Sequence, residues 1–139
     1  MRKIILSAIV LSTVLFSCKK DDAKVCDLNS ANVAGAYKIT AIKYKPSATL
    51  PEVDVFATLD ACEKDDITVL NANGTMAYQD AGTVCAPAGD YTSTWSLTGS
   101  ILTVDGDPYT VSSFTCSGAT LTQTGTTAGE LTTVTLVKQ

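Results

Sequence analysis

The chain has 139 residues with 10 basic and 14 acidic side chains, a formal charge of −4, and no histidine. That length holds one domain with a substantial core and not two. The acidic balance disfavours nucleic acid as a partner, and the missing imidazole removes the commonest general base and the commonest zinc ligand.

Met1-Arg2-Lys3 opens the chain, followed by thirteen mostly apolar residues from Ile4 to Phe16 and then Ser17-Cys18. Two positive charges, a short apolar run and a small residue make a tripartite secretory signal over residues 1–17. The run falls short of the roughly 20 apolar residues that a spanning helix needs. Leu15-Phe16-Ser17-Cys18 resembles the lipobox of bacterial lipoproteins, with Leu15, Ser17 and Cys18 on the pattern and Phe16 off it. The resemblance implies cleavage before Cys18 and its lipidation, with palmitate-type chains as the membrane contact. Two or more acyl chains hold a protein stably on a bilayer, whereas one does so only marginally. Ordinary secretion, with Cys18 as a spare thiol or a disulfide partner, is the competing reading. Lys19-Lys20-Asp21-Asp22 resembles the signal that sends some Gram-negative lipoproteins to the outer face of the outer membrane, a periplasm-facing location being the alternative. Residues 18–32 are expected to form a lipidated tether and residues 33–139 the folded domain. Loss of residues 1–17 leaves 122 residues with 8 basic groups against 14 acidic, a charge of −6.

Setting Cys18 aside leaves Cys26, Cys62, Cys85 and Cys116, an even number for an oxidising compartment and hence two disulfides. Cys62 lies eleven residues before Asn73 and Cys85 eleven after Gly74, so a hairpin about Asn73-Gly74 brings them side by side. That pairs Cys62 with Cys85 and, by elimination, Cys26 with Cys116. A metal site is the competing use of these cysteines, and it lacks both close Cys spacing and His.

Short runs of β-branched and aromatic residues, broken by Gly, Asn and Asp, point to an antiparallel β protein. Strands are expected at 35–44, 67–70, 75–79, 91–97, 101–104, 108–115, 119–123 and 131–137. The first places Tyr37, Ile39 and Ala41 on one face, and the last places Val134 and Leu136 together. Between the first two, Val53, Val55, Phe56 and Leu59 fit one or two helical turns in a long loop. Asn73-Gly74 and Asp105-Gly106 are hairpin turns. Eight sequential strands with short connections predict an up-and-down barrel, which closes its own edges, rather than a two-sheet sandwich with long crossovers.

Gly35-Ala36-Tyr37, then Cys62-Glu63-Lys64-Asp65-Asp66, the Asn73-Gly74-Thr75 hairpin, Cys85, and a strand ending Thr94-Trp95-Ser96-Leu97, together resemble the lipocalin-like domains of secreted and lipid-anchored bacterial proteins. The resemblance runs over residues 33–138. It implies an eight-stranded antiparallel barrel with one open end, wide enough to pack solid or to hold one small apolar ligand.

Tyr37, Ile39, Met76, Tyr78, Trp95 and Leu97 are the candidate ligand residues, with Leu102, Val104, Val111 and Leu136 as further inward positions. They either wall a cavity for a small hydrophobic molecule or simply fill the barrel, and a continuous cavity near Trp95 open at one end separates the two. Asp60, Glu63, Asp65 and Asp66 suggest calcium or paired-carboxylate glycoside cleavage, but their spacing follows no EF-hand loop and no nucleophile motif accompanies them. No catalytic residue, metal or cofactor is assigned, and a monomer is expected. Two functions remain open: a lipid-anchored binding module for a small hydrophobic ligand or glycan, and a packed module that binds or inhibits a protein. Cys18→Ser is expected to release the protein from the membrane fraction while both disulfides form normally. Fractionation with thiol counting checks this, and an additional free thiol among the other four cysteines would refute it.

Overall fold

Alternating sequence, tight turns and two crosslinks produce a closed cylinder in the computed structural model, which describes residues 26–139. The signal segment, Cys18 and the Lys19–Asp22 run lie outside the described residues. The strands are β1 (Gly35–Lys45), β2 (Val53–Asp54), β3 (Ile67–Leu70), β4 (Thr75–Gln79), β5 (Tyr91–Thr98), β6 (Ile101–Val104), β7 (Asp107–Thr115), β8 (Gly118–Thr124) and β9 (Leu131–Lys138). Each pairs antiparallel with its neighbour in the order β1-β3-β4-β5-β6-β7-β8-β9, and β9 returns to β1. The result is an eight-stranded up-and-down barrel, as the run of hairpins predicts. Two-residue β2 is an addition outside the cylinder, held on β1 at Lys43 and Tyr44.

The long first connection contains a 3₁₀ turn, Phe56–Thr58, where the apolar spacing suggests a short helix. Asp54 holds it in place, accepting from the Ala57 amide at 3.1 Å and from Lys43 Nζ at 2.7 Å. At Asp105-Gly106 the backbone takes φ of 53° and 87°, the left-handed pair that a two-residue hairpin requires and that Asp and Gly tolerate.

Two bulges change which residues face inward. Ile39 pairs with Leu136 and Ala41 with Thr135, so Thr40 is an extra residue in β1. A bulge of one residue reverses the alternation beyond it. Ile42, not Ala41, therefore continues the inner face after Ile39, which corrects the face read from simple alternation. Ser112 does the same in β7, between Val111 opposite Leu121 and Ser113 opposite Thr120, and brings Phe114 inward.

One end is plugged. A single-turn helix, α1 (Ser30–Val33), is capped by Asn29, whose Oδ1 accepts from the Asn32 amide at 2.9 Å. Val33 is buried beneath it. Tyr37, only 2 % exposed, donates its hydroxyl to the Val33 carbonyl at 2.7 Å. Lys138 Nζ donates to the Asn32 carbonyl at 2.7 Å and sits 5.6 Å from the Tyr37 ring centre. The disulfide Cys26–Cys116 ties the chain ahead of α1 to the β7–β8 turn. Residues 26–32, read from sequence as the end of a tether, are thus packed onto the barrel.

Above the plug lies the core of Val33, Tyr37, Leu70, Met76, Trp95, Leu102 and Leu121. The Trp95 indole is satisfied by the Asn71 carbonyl at 2.8 Å. Connections 46–66, 80–90, 105–106 and 125–130 gather at the opposite end, where Cys62–Cys85 crosslinks the two longest. By loop-closure entropy, the Cys26–Cys116 bridge over 90 residues stabilises by about 4 to 5 kcal/mol and the Cys62–Cys85 bridge over 23 by about 3. Urea unfolding of the two double Cys→Ser variants should rank them in that order.

Candidate ligand chamber at the open end

The inner positions of the barrel are used in two ways along its axis. Around the core only a gap of about 10 Å³ remains, bordered by Val33, Phe114 and Ala119, so this half is solid. Nearer the open end the walls enclose a chamber of about 300 Å³. Tyr37, Leu70, Leu102 and Leu121 form its deepest part, next to the core. Ile39, Ile42, Val104, Val134 and Leu136 supply further apolar wall, and Thr68, Thr132 and Tyr109 bring hydroxyl groups. No charged side chain lines it.

The ladders explain this grouping, because residues far apart in sequence become inner-face neighbours. Ile42 stands opposite Val134, which stands opposite Leu121. Leu102 stands opposite Tyr109. Of the residues singled out from sequence, Tyr37 and Ile39 line the chamber, as do the further inward positions Leu102, Val104 and Leu136. Met76 and Trp95 belong to the packed core, while Tyr78 and Leu97 pack against it away from the chamber wall. A cavity is present, then, but Trp95 does not line it. Sequence reasoning did not single out Ile42, Thr68, Leu70, Tyr109, Leu121, Thr132 or Val134 as inward positions. Period-two alternation around Leu70 and Val111 could have found Thr68 and Tyr109, whereas Ile42 was hidden by the bulge.

Tyr78 and Tyr91 face each other across the β4–β5 ladder with ring centres 5.2 Å apart. Tyr78 donates its hydroxyl to the buried Asp66 carboxylate, which also accepts from the Ala81 amide at 3.2 Å. Burial and the Asp66 hydrogen bond push the Tyr78 phenol well above its ordinary range. Burial likewise raises Tyr91 and Tyr109, with Asp105 adding to the first and Asp107 to the second.

Three of the four carboxylates considered for calcium or acid–base work, Glu63, Asp65 and Asp66, accept from loop amides instead. Glu63 accepts from the Asp60 amide at 2.8 Å and Asp65 from Thr83 at 2.9 Å. Gly82 beside it has φ +63° and no room for a Cβ against the Asp65 carboxylate. Asp80 organises the same loop, accepting from Cys85 at 3.0 Å and Gly89 at 2.9 Å. Across the rim, Glu130 accepts from Tyr44 Oη at 2.9 Å and from the Thr127 amide at 3.0 Å. Those bonds, the Thr127 amide first, hold its carboxyl below the usual range. Among the described residues no three Cys, Asp or Glu side chains converge as a metal-binding group.

All five tyrosines, Tyr37, Tyr44, Tyr78, Tyr91 and Tyr109, are pushed upward on folding. A raised phenol holds its proton more tightly in the native state, so its contribution is complete below about pH 10 and is lost as pH rises through the folded values. The urea midpoint should hold steady to about pH 9.5 and then fall steeply, and Tyr78→Phe should make that fall shallower. An unchanged slope in Tyr78→Phe would contradict the burial of this phenol.

A family model described as a lipocalin-like domain matches residues 33–123. No curated protein and no solved structure matches the chain. The match runs from the end of α1 through β7 and nearly all of β8, and the closed eight-stranded barrel is the architecture that it implies. The chain belongs to the lipocalin-like domain family.

Proposed function

We propose that this protein is a small-ligand binding module whose chamber takes a small hydrophobic molecule. The single observation that carries the proposal is the 300 Å³ space in the open half of the barrel, next to a solid half that supplies the fold. Ligand sites are concave, mostly apolar and furnished with a few polar groups that orient the guest. Ten apolar or aromatic side chains and the hydroxyls of Thr68 and Thr132 meet that description. The volume is at the low end of the usual range for such sites, which suits a compact guest. The hollows beside Tyr78 and Tyr91 and along Ser113 to Thr120 are shallower and more polar than the chamber, so a glycan at the mouth loops or a protein partner on the outer wall has weaker support.

Lipid anchoring at the cell envelope forms part of the same proposal. Its support is the signal and lipobox pattern of residues 1–18, with Lys19 to Asp22 favouring display on the outer membrane surface. Barrel closure leaves only short strand edges, which supports a monomer. Val134→Phe should fill part of the chamber and abolish calorimetric binding of 1-octanol while the far-ultraviolet spectrum stays native. Overpacking costs about 1 to 3 kcal/mol, which thermal melting would register. Undiminished octanol binding by a folded Val134→Phe protein would refute the chamber as the site.

A further inference from the structure

Charge is distributed very unevenly about the chamber. Every described Asp and Glu except Asp27 lies at the open end, in its connections, in β2 or at the start of β7, eleven in number, against the lysines Lys43, Lys45 and Lys64. Two of those three are already engaged, Lys43 Nζ with Asp54 at 2.7 Å and Lys64 Nζ with the Ala57 carbonyl at 3.2 Å. A mouth lined with one sign of charge raises the local concentration of the opposite sign and repels its own. The chamber below has no charged side chain to accompany a buried ion, so any charge on a ligand must remain at the rim.

The rim offers a specific place for it. Tyr109 belongs to the chamber wall opposite Leu102, and Asp107, two residues before it in β7, stands opposite Val104 of the same wall. Tyr91, 45 % exposed and stacked on Tyr78, begins β5, the strand whose Thr94 carbonyl accepts from the Asp105 amide at 3.0 Å. Asp105 and Asp107 flank Gly106 in the hairpin turn between β6 and β7, so both carboxylates stand at the mouth. Tyrosine faces attract cations through the ring quadrupole, and phenol and carboxylate oxygens accept hydrogen bonds from an ammonium group. Two other rim carboxylates, Asp80 and Glu130, are occupied with loop backbone.

We infer that the ligand is an amphipathic amine, with its apolar body in the chamber and its protonated nitrogen at the rim among Tyr91, Tyr109, Asp105 and Asp107. The inference deepens the small-ligand reading and rests on it. At about 30 Å³ per non-hydrogen atom, the liquid-water share, 300 Å³ holds about ten atoms. An eight-carbon chain with one head atom matches that size.

Isothermal titration calorimetry of the full chain at low ionic strength with n-octylammonium, 1-octanol and octanoate presents one tail under three head charges. The amine should bind about tenfold tighter than the alcohol, octanoate should bind weakest, and added salt should erode the difference. Asp105→Asn with Asp107→Asn should bring amine and alcohol to within about twofold of each other. Asn accepts the φ of 53° at position 105, so the turn is kept, and thermal melting verifies that the double variant is folded. If the alcohol or the carboxylate binds as tightly as the amine, the charge inference falls and the chamber reading stands. Failure of all three to bind overturns both. Undiminished amine preference in the folded double variant overturns the assignment to Asp105 and Asp107.

Discussion

The ladder between the first and last strands is the constraint on which the rest of the molecule depends. With eleven residues, β1 is long enough to pair with β9 over Tyr37 to Lys45, with β3 at its start and with β2 at its end. Closure gives the two terminal strands of the meander partners for backbone groups that an open sheet would expose. It also sets the phase of the interior. Because Thr40 is an extra residue in that ladder, Tyr37 and Ile39 point inward at one level and Ile42 at the next. Without the bulge Ile42 would face outward, and the chamber wall would have Ala41 in its place.

An eight-stranded barrel is only just wide enough to be filled by its own side chains. This one is filled in one half. Large residues, Tyr37, Met76 and Trp95, meet the helix plug there, and the polar atoms of Tyr37 and Trp95 each have a carbonyl partner. Full burial of side chains of this size stabilises by about 1.5 to 3 kcal/mol each. In the other half, Ile39, Ile42, Thr68, Val104, Thr132 and Val134 are too short to meet across the axis, and space remains between them. Stability and binding are thereby assigned to different levels of the same cylinder.

The open-end loops are held by carboxylates and one crosslink rather than by apolar packing. Asp65, Asp66 and Asp80 accept from amides of residues 81 to 89, and Cys62–Cys85 joins the same two connections. Acidic residues therefore act twice here. They satisfy backbone donors that short, irregular loops leave without ladder partners. Their summed charge also makes the mouth negative, a property that belongs to the ensemble and to no single side chain.

Much of this was written locally in the chain. Period-two alternation marked the eight barrel strands within a residue or two of their ends, and Asn73-Gly74 and Asp105-Gly106 marked two of their turns, because each depends only on neighbouring residues. Equal spacing about the first turn sufficed to pair Cys62 with Cys85, and elimination paired Cys26 with Cys116. The chamber was legible only in part. Tyr37 and Ile39 precede the β1 bulge and keep the simple alternation, whereas Ile42 follows it. A bulge is fixed by the partner strand, some ninety residues away, and leaves no trace in composition. Tertiary structure also decided that Trp95 would join the solid half, because its indole reaches the Asn71 carbonyl in the neighbouring hairpin. Sequence by itself thus determined which segments are strands and which cysteines meet. Only closure of the sheet decided which inner residues fill the barrel and which leave it hollow, since that depends on register between strands distant in the chain.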